Sequence, residues 1–297
     1  LTNLAEDKVF KAVKAIKDNK WLEIDDLHHF VLSLQLGERD FQISVIDPRS
    51  NRCLLIEDFI FEAPKNEVEL VNFLDHLYDD HSLIIAGFWK EVRVNFKNSI
   101  FTFVPEEDFI EEQSDKYLQI TTDFNPAKHE LFHDQLFDGK IINVFAVPTR
   151  LVEYFKNRYP AKEIKVYHQN SVLVEGAFRY TSKDNSNRMF LFIDRFVLHV
   201  WTINNGSLQF YNRYQINQFD EYIKYISLIS KELDISNMIG DIPLWGFVGN
   251  KTPHFRQIQR HIPNIMLGQR PDEVKFGYQF DELEENNYFD IVYTGII

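Results

Sequence analysis

An α/β protein made of two similar halves, each a mixed sheet with helices, is the fold class this sequence predicts. Two observations carry that prediction. Residues 30–61 fall into three apolar-rich runs separated by polar turn residues, then a helix-period segment, and the same order returns from residue 189. The copies also keep one spacing. Phe30 and Met189 open the first runs 159 residues apart, and Gly87 and Gly246, each closing a short apolar run as Gly-Phe, are also 159 apart. A fixed separation between matched landmarks is the mark of an internal duplication. Composition adds the core: of 297 residues 44% are hydrophobic and 15% aromatic, which excludes a disordered chain.

The elements follow in order. Residues 1–20, LTNLAEDKVFKAVKAIKDNK, are a charged amphipathic stretch read as an N-terminal helix, without the apolar core of a signal peptide. Residues 30–36 and 41–47 are the first two strands; Phe41, Ile43 and Val45 alternate with Gln42 and Ser44, the period of a half-buried strand. Residues 52–61 are the third strand. The segment 66–80 is a helix with Val68, Val71, Leu74 and Leu77 on one face. The run 92–104 (VRVNFKNSIFTFV) reads as a hairpin turning at Lys97-Asn98, followed by an acidic helix or loop over 106–117. KIINVFAV at 140–147 is a buried strand stopped by Pro148, and 149–159 is a short helix ended by Pro160. Pro148 marks the boundary between a first domain, 1–147, and a second, 148–297. In the second copy, 189–194 and 196–203 are strands, Asn204-Asn205-Gly206 is a turn, and 207–214 is the third strand. A helix over 219–233 then carries Tyr222, Ile226, Ile229 and Leu233 on one face, and 180–187 is a polar exposed tip.

Charge narrows the partners. The net charge of −13 argues against a general binder of DNA, RNA or an anionic membrane, since those partners are held by clustered Lys and Arg, so no DNA is expected. The single Cys53 excludes a disulfide framework or a cysteine zinc site. It opens an apolar strand and reads as a buried structural thiol. No run reaches 18 apolar residues, so no membrane span is expected and the location is cytoplasmic.

A three-stranded meander followed by a helix and further strands, occurring twice, resembles the duplicated ribonuclease-H-like fold of actin, the 70-kDa chaperones and the sugar kinases. More closely, the chain resembles an uncharacterised bacterial family with an actin-like ATPase fold and no assigned activity. FVLSLQLGERDFQISVID, VFAVP at 144–148, MFLFIDRFVLHVW and IPLWGFVG carry the resemblance. Active members of the superfamily hold ATP between the halves. Glycines admit backbone N–H groups to phosphate, and acids position magnesium. The resemblance places the first phosphate motif on Gln35-Leu36-Gly37-Glu38, where Gly37 stays but the acid and hydroxyl are lost. The second falls on Asp194-Arg195-Phe196-Val197, with the acid kept and both glycines gone. The adenosine motif falls on Trp245-Gly246-Phe247-Val248-Gly249. Gly37, Asp194, Gly246 and Gly249 are thus the cofactor-binding positions it implies.

Degraded motifs on a retained fold imply a non-catalytic interaction or scaffold module with a protein partner, no catalytic residue and no required cofactor. The alternative is an ATP- and magnesium-binding switch or enzyme using Asp194 and Glu38 on the metal. A weaker one is a zinc hydrolase, because His129-Glu130-Leu131-Phe132-His133 satisfies His-Glu-x-x-His if that segment is helical. Asp194 paired with Asp47 or Glu175 is the nearest approach to a carboxylate pair, and Glu38 and Asp40 read as solvated turn residues. His199 reads as a satisfied strand histidine. The acidic runs at 106–112 and 281–285 read as solvated faces, and the basic run 251–261 as a surface helix.

Overall fold

A computed structural model describes residues 10–136, 139–181, 188–233, 240–249 and 252–297. The strands and helices, in chain order, begin with β1 (Phe10–Lys17), β2 (Val31–Leu36), β3 (Asp40–Asp47), β4 (Arg52–Phe61), α1 (Glu67–Asp80) and β5 (Glu91–Phe96). Next come β6 (Phe101–Pro105), α2 (Ser114–Thr121), β7 (His129–Gln135), β8 (Ile141–Pro148), α3 (Thr149–Arg158), β9 (Ile164–His168) and α4 (Gln169–Thr181). The rest are β10 (Arg188–Asp194), β11 (Val197–Asn204), β12 (Ser207–Gln215), α5 (Phe219–Glu232), β13 (Ile242–Gly246), α6 (Pro253–His261), β14 (Ile265–Leu267) and α7 (Phe289–Thr294).

The duplication is visible in the sheets. The first has the order β1-β4-β3-β2-β5-β9 and the second β12-β11-β10-β13-β14. Without β1 the two orders are the same. Each is an antiparallel meander extended by parallel strands, β5 and β9 in one and β13 and β14 in the other. The α/β fold class therefore stands, as two ribonuclease-H-like units. A third sheet, β6-β8-β7, is inserted in the first unit and has no counterpart among the described residues of the second.

Local signals start the elements as expected. The Asn66 side chain accepts from the Glu69 N–H at the start of α1, and Thr252 caps α6 ahead of Pro253. Asn205 and Gly206 turn β11 into β12 with φ of 51° and 69°.

The last helix of each unit crosses to the other sheet. Leu173, Ala177 and Phe178 of α4 pack with Phe190, Trp201 and Trp245 of the second sheet. Ile291 and Val292 of α7 pack with Ile46 and Ile56 of the first. The two helices touch each other at Gly176, where a Cβ would come within 2.7 Å of the Phe289 ring. Exchanged helices tie the units together.

Several expectations are corrected. Residues 10–17 form a strand, not part of a helix: β1 runs antiparallel to β4, Phe10 opposite Phe61, because an open sheet edge satisfies its backbone groups. Residues 1–9 lie outside the described residues, as do 182–187 of the polar tip and Lys251 of the basic run. The hairpin at Lys97-Asn98 does not form. β5 lies parallel between β2 and β9, while β6 pairs with β8, so the chain changes sheets there. Gly87 is not the counterpart of Gly246, since residues 83–88 form no strand and β5 is the equivalent of β13. The boundary at 147/148 cuts a continuous core: Leu151, Val152 and Phe155 of α3 and Ile164 of β9 share one apolar cluster with Leu34, Phe41 and Val94.

Candidate functional site

The two hairpins placed by resemblance at the cleft do meet. Gly37–Asp40, between β2 and β3, and Asp194–Val197, between β10 and β11, border a cleft of about 630 Å³. Gly37 N–H donates to Asp40 O at 2.9 Å, closing the first hairpin tightly. That brings the Asp40 side chain back over Gly37, where a Cβ would come 2.0 Å from Asp40 Oδ1. The space left by this glycine is filled by the chain's own carboxylate.

Lys97 stands between the hairpins. Its backbone N–H extends the β5 ladder to Leu36 O at 2.9 Å, which fixes where the side chain starts. Its Nζ donates to Asp40 Oδ2 at 2.6 Å and lies 3.2 Å from Asp194, and only 7% of the residue is exposed. Burial alone would push this ammonium down, but Asp194 and Asp40 together hold it above the ordinary lysine range. Burial likewise opposes charge on Asp194, and Lys97 with the Gln169 amide outweighs it, keeping that carboxyl low.

Arg195 makes the opposite crossing. From the second unit its Nε donates to Asp40 at 3.1 Å and its Nη2 to Asp58 at 2.6 Å, while its guanidinium lies 4.5 Å from the Phe247 ring centre. Its φ of 53° is rare for a residue with a side chain, and Tyr222 holds the turn by donating to Arg195 O at 2.6 Å. Asp58 is fully buried, also accepts from Tyr288, and burial keeps its carboxyl above the usual range despite Arg195.

Beneath this layer lie Gln35, Gln42, Asn95, Gln169 and Asp290. Gln169 Nε2 donates to Asp194 at 2.9 Å and to Asp290 at 2.8 Å, and Gln35 donates to Asp290 at 2.7 Å. Burial pushes the Asp290 carboxyl up, against the pull of Lys97. The arrangement is a buried, alternating charge network that stitches the two units. Asp40 and Asp194, the inward acids of the two hairpins, already hold Lys97 and Arg195 between them, which leaves them no free carboxylate pair for a metal.

The remaining candidates separate. Gly246 closes β13 against backbone: with φ 100°, its Cβ would sit 2.0 Å from Ile193 O. Gly249 lies beside Thr252 and Glu284, and Asn286 Nδ2 donates to the carbonyls of Gly246 and Val248. Asp194 reaches neither Asp47, which bonds Arg49 and Ser50, nor Glu175, which pairs with Arg179. Asp40 is ion-paired inside the cleft rather than solvated, while Glu38 is exposed at the tip.

His129 and His133 lie on β7, so Glu130 points to the opposite face and pairs with Lys156 at 2.9 Å. A helical His-Glu-x-x-His site does not form, and the described residues hold no group of three metal-binding side chains. His199 bonds the Tyr211 hydroxyl at 2.7 Å, and burial lowers it to about 3. Burial pushes the Cys53 thiol up to about 12.

Lys97, Arg195, Asp58 and Asp290 are the residues that sequence reading missed. The available signal was a charge at the end of each apolar strand, Lys97 after β5 and Arg195 after β10.

A model of the family described as protein of unknown function, DUF3822, matches residues 18–265. The chain belongs to that family. Its fold matches a Bacteroides thetaiotaomicron protein with an actin-like ATPase fold and unknown function: TM-score 0.70, 18% identity, 83% of this chain and 93% of the other. It also matches a structure of the PilM–PilN type IV pilus biogenesis complex: TM-score 0.64, 10% identity, 89% of this chain and 97% of the other. These likenesses establish the actin-like fold of this DUF3822 chain. No curated protein matches it. No helix among its described residues is long and apolar enough to cross a membrane.

Proposed function

We propose that the chain is a non-catalytic, cytoplasmic actin-fold module that binds a protein partner and carries no nucleotide in its cleft. One observation carries the reading. The Lys97 ammonium sits between Asp40 and Asp194, where a nucleotide-hydrolysing relative would need its acids free for magnesium. The Asp40 carboxylate folded back over Gly37 and the packing of Gly246 against the Ile193 backbone support it, since a carboxylate at the phosphate-facing turn repels a triphosphate. The described residues therefore do not fit magnesium and a triphosphate as they stand. Protein binding has support from one protein of like fold, PilM, which is held in a complex with PilN. The ATP-switch alternative, with Asp194 and Glu38 on the metal, requires Lys97 to leave both acids.

The test is calorimetry and thermal melting with ATP, ADP and GTP, with and without magnesium. A ligand at a hundredfold excess over its Kd stabilises the folded chain by about 2.7 kcal/mol. No heat and no shift at millimolar nucleotide are expected. A magnesium-dependent shift that disappears in Asp194→Ala would overturn the proposal.

A further inference from the structure

The duplication supplies its own comparison at the sheet edges. β4 and β12 hold the same place, each the third strand of its meander. β4 is covered by β1, which runs antiparallel along it from Phe10 opposite Phe61 to Lys17 opposite Leu55. β12 has β11 on one side and, among the described residues, no strand on the other. An open edge leaves backbone N–H and C=O groups without a strand partner, and proteins guard such edges with Lys, Pro, bulges or short length. On β12 the Arg213 N–H donates to the adjacent Asn212 Oδ1 at 2.8 Å, a bond an added strand would have to replace or leave in place. β12 is nine residues long, SLQFYNRYQ, with neither Lys nor Pro, and its register shift lies near its start.

A second edge faces it. β6, the outer strand of the inserted sheet, borders the same groove of about 610 Å³. The groove is lined by unbroken runs, 101–103 from β6 and 208–213 from β12. A sheet face presents every second residue, so unbroken runs mean that strand edges form the walls. The two strands do not pair. The Phe101 and Phe103 rings instead meet Tyr211, with centroids 5.9 and 5.0 Å apart. Arg213 is the one charged residue among those lining the groove, makes no ion pair among the described residues, and also borders the interlobe cleft.

We infer that this groove takes an extended segment of a partner protein, added as a strand antiparallel to β12. The covering of β4 by β1 is the precedent within the chain for what that position accepts. Backbone hydrogen bonds to β12, and to β6 where the segment reaches it, hold the segment. Apolar side chains at alternate positions lie against Phe101 and Phe103, and an acidic one meets Arg213. The inference rests on the partner-binding reading above and names its surface and the chemistry of the partner.

The probe is a phage-displayed library of random peptides, about twelve residues long to span an edge of this length, selected on the full chain. The expected winners alternate apolar residues and carry one acid. A synthetic copy of the best winner should lose at least tenfold in affinity when alternate amides are N-methylated in one register, and keep its affinity in the other. Arg213→Glu should cost about tenfold at unchanged Tm and regain it when the peptide's acid is replaced by lysine. The inference is overturned if no peptide is selected. Winners that bind Arg213→Glu as well as the parent, or that tolerate N-methylation in both registers, overturn it too. So does light scattering that gives twice the chain mass with the groove blocked, because the occupant would then be a second copy. Nucleotide binding alongside intact peptide binding would sink the non-catalytic reading and leave this site standing.

Discussion

The two units share a sheet order and differ at matching places in the cleft. The residue after β5 is Lys97, a buried cation; the residue after β13 is Phe247, whose ring receives Arg195. The first hairpin keeps Gly37 and turns Asp40 inward, while the second keeps Asp194 and points Arg195 across the cleft. Lys97 pairs with Asp40 of its own unit and reaches Asp194 of the other, and Arg195 crosses to Asp40 and Asp58, so charges from both units are shared across the cleft. A duplicated hydrophobic pattern preserves the fold, and charges at equivalent ends of strands make the halves complementary rather than alike. The same contrast holds at the edges, where β4 is covered and β12 is open.

The largest test of that contrast removes the first unit's cation. Lys97→Met leaves Asp40 with Arg195 alone and Asp194 with no cation, only the Gln169 amide, and a loss of about 3–5 kcal/mol in urea denaturation is expected. A loss below about 1 kcal/mol, the size of an exposed pair, would mean that Lys97 does not tie the units.

The two glycines that share one spacing in the sequence sharpen the comparison next. Gly246→Ala forces a side chain onto φ 100° and against Ile193 O, with an expected loss of about 3 kcal/mol. A Cβ at Gly87 meets nothing within 4 Å, so Gly87→Ala should stay within about 0.5 kcal/mol. Equal losses in thermal melts would restore Gly87 as a true counterpart.

The smallest effect concerns the inserted sheet, which has no equivalent among the described residues of the second unit. Burial raises the Asp134 carboxyl to about 6, and its Oδ2 has no partner. Between about pH 4 and pH 6 the folded chain keeps this proton after the unfolded chain has released it. Asp134 therefore lowers stability progressively as pH rises through that window and evenly above it. Asp134→Asn should add about 2 kcal/mol at pH 7 and nothing near pH 4. A gain that is the same at both pH values would show that the carboxyl is not the cause.

The strands of both meanders, the long helices α1 and α5, and the duplication itself were legible in the sequence, because apolar period and turn residues are local signals. Gly37 and Asp194 were legible as cleft residues only through the family resemblance. Lys97 was hidden because a charged residue between two apolar runs reads equally as a hairpin tip and as a sheet crossing. β1 was hidden because FKAVKAIK is amphipathic in either conformation, and the edge of β4 decided between them.

The amino-acid sequence by itself determined the α/β class and the two copies, since apolar period and turn residues are local signals. Tertiary structure alone decided which strands pair and which helix covers which sheet. It also decided that Lys97, Asp40, Asp194 and Arg195 form one network. Those outcomes depend on partners far apart in the sequence, 155 residues for Arg195 and Asp40 and 247 for Ser44 and Ile291, and on a burial that no local pattern encodes.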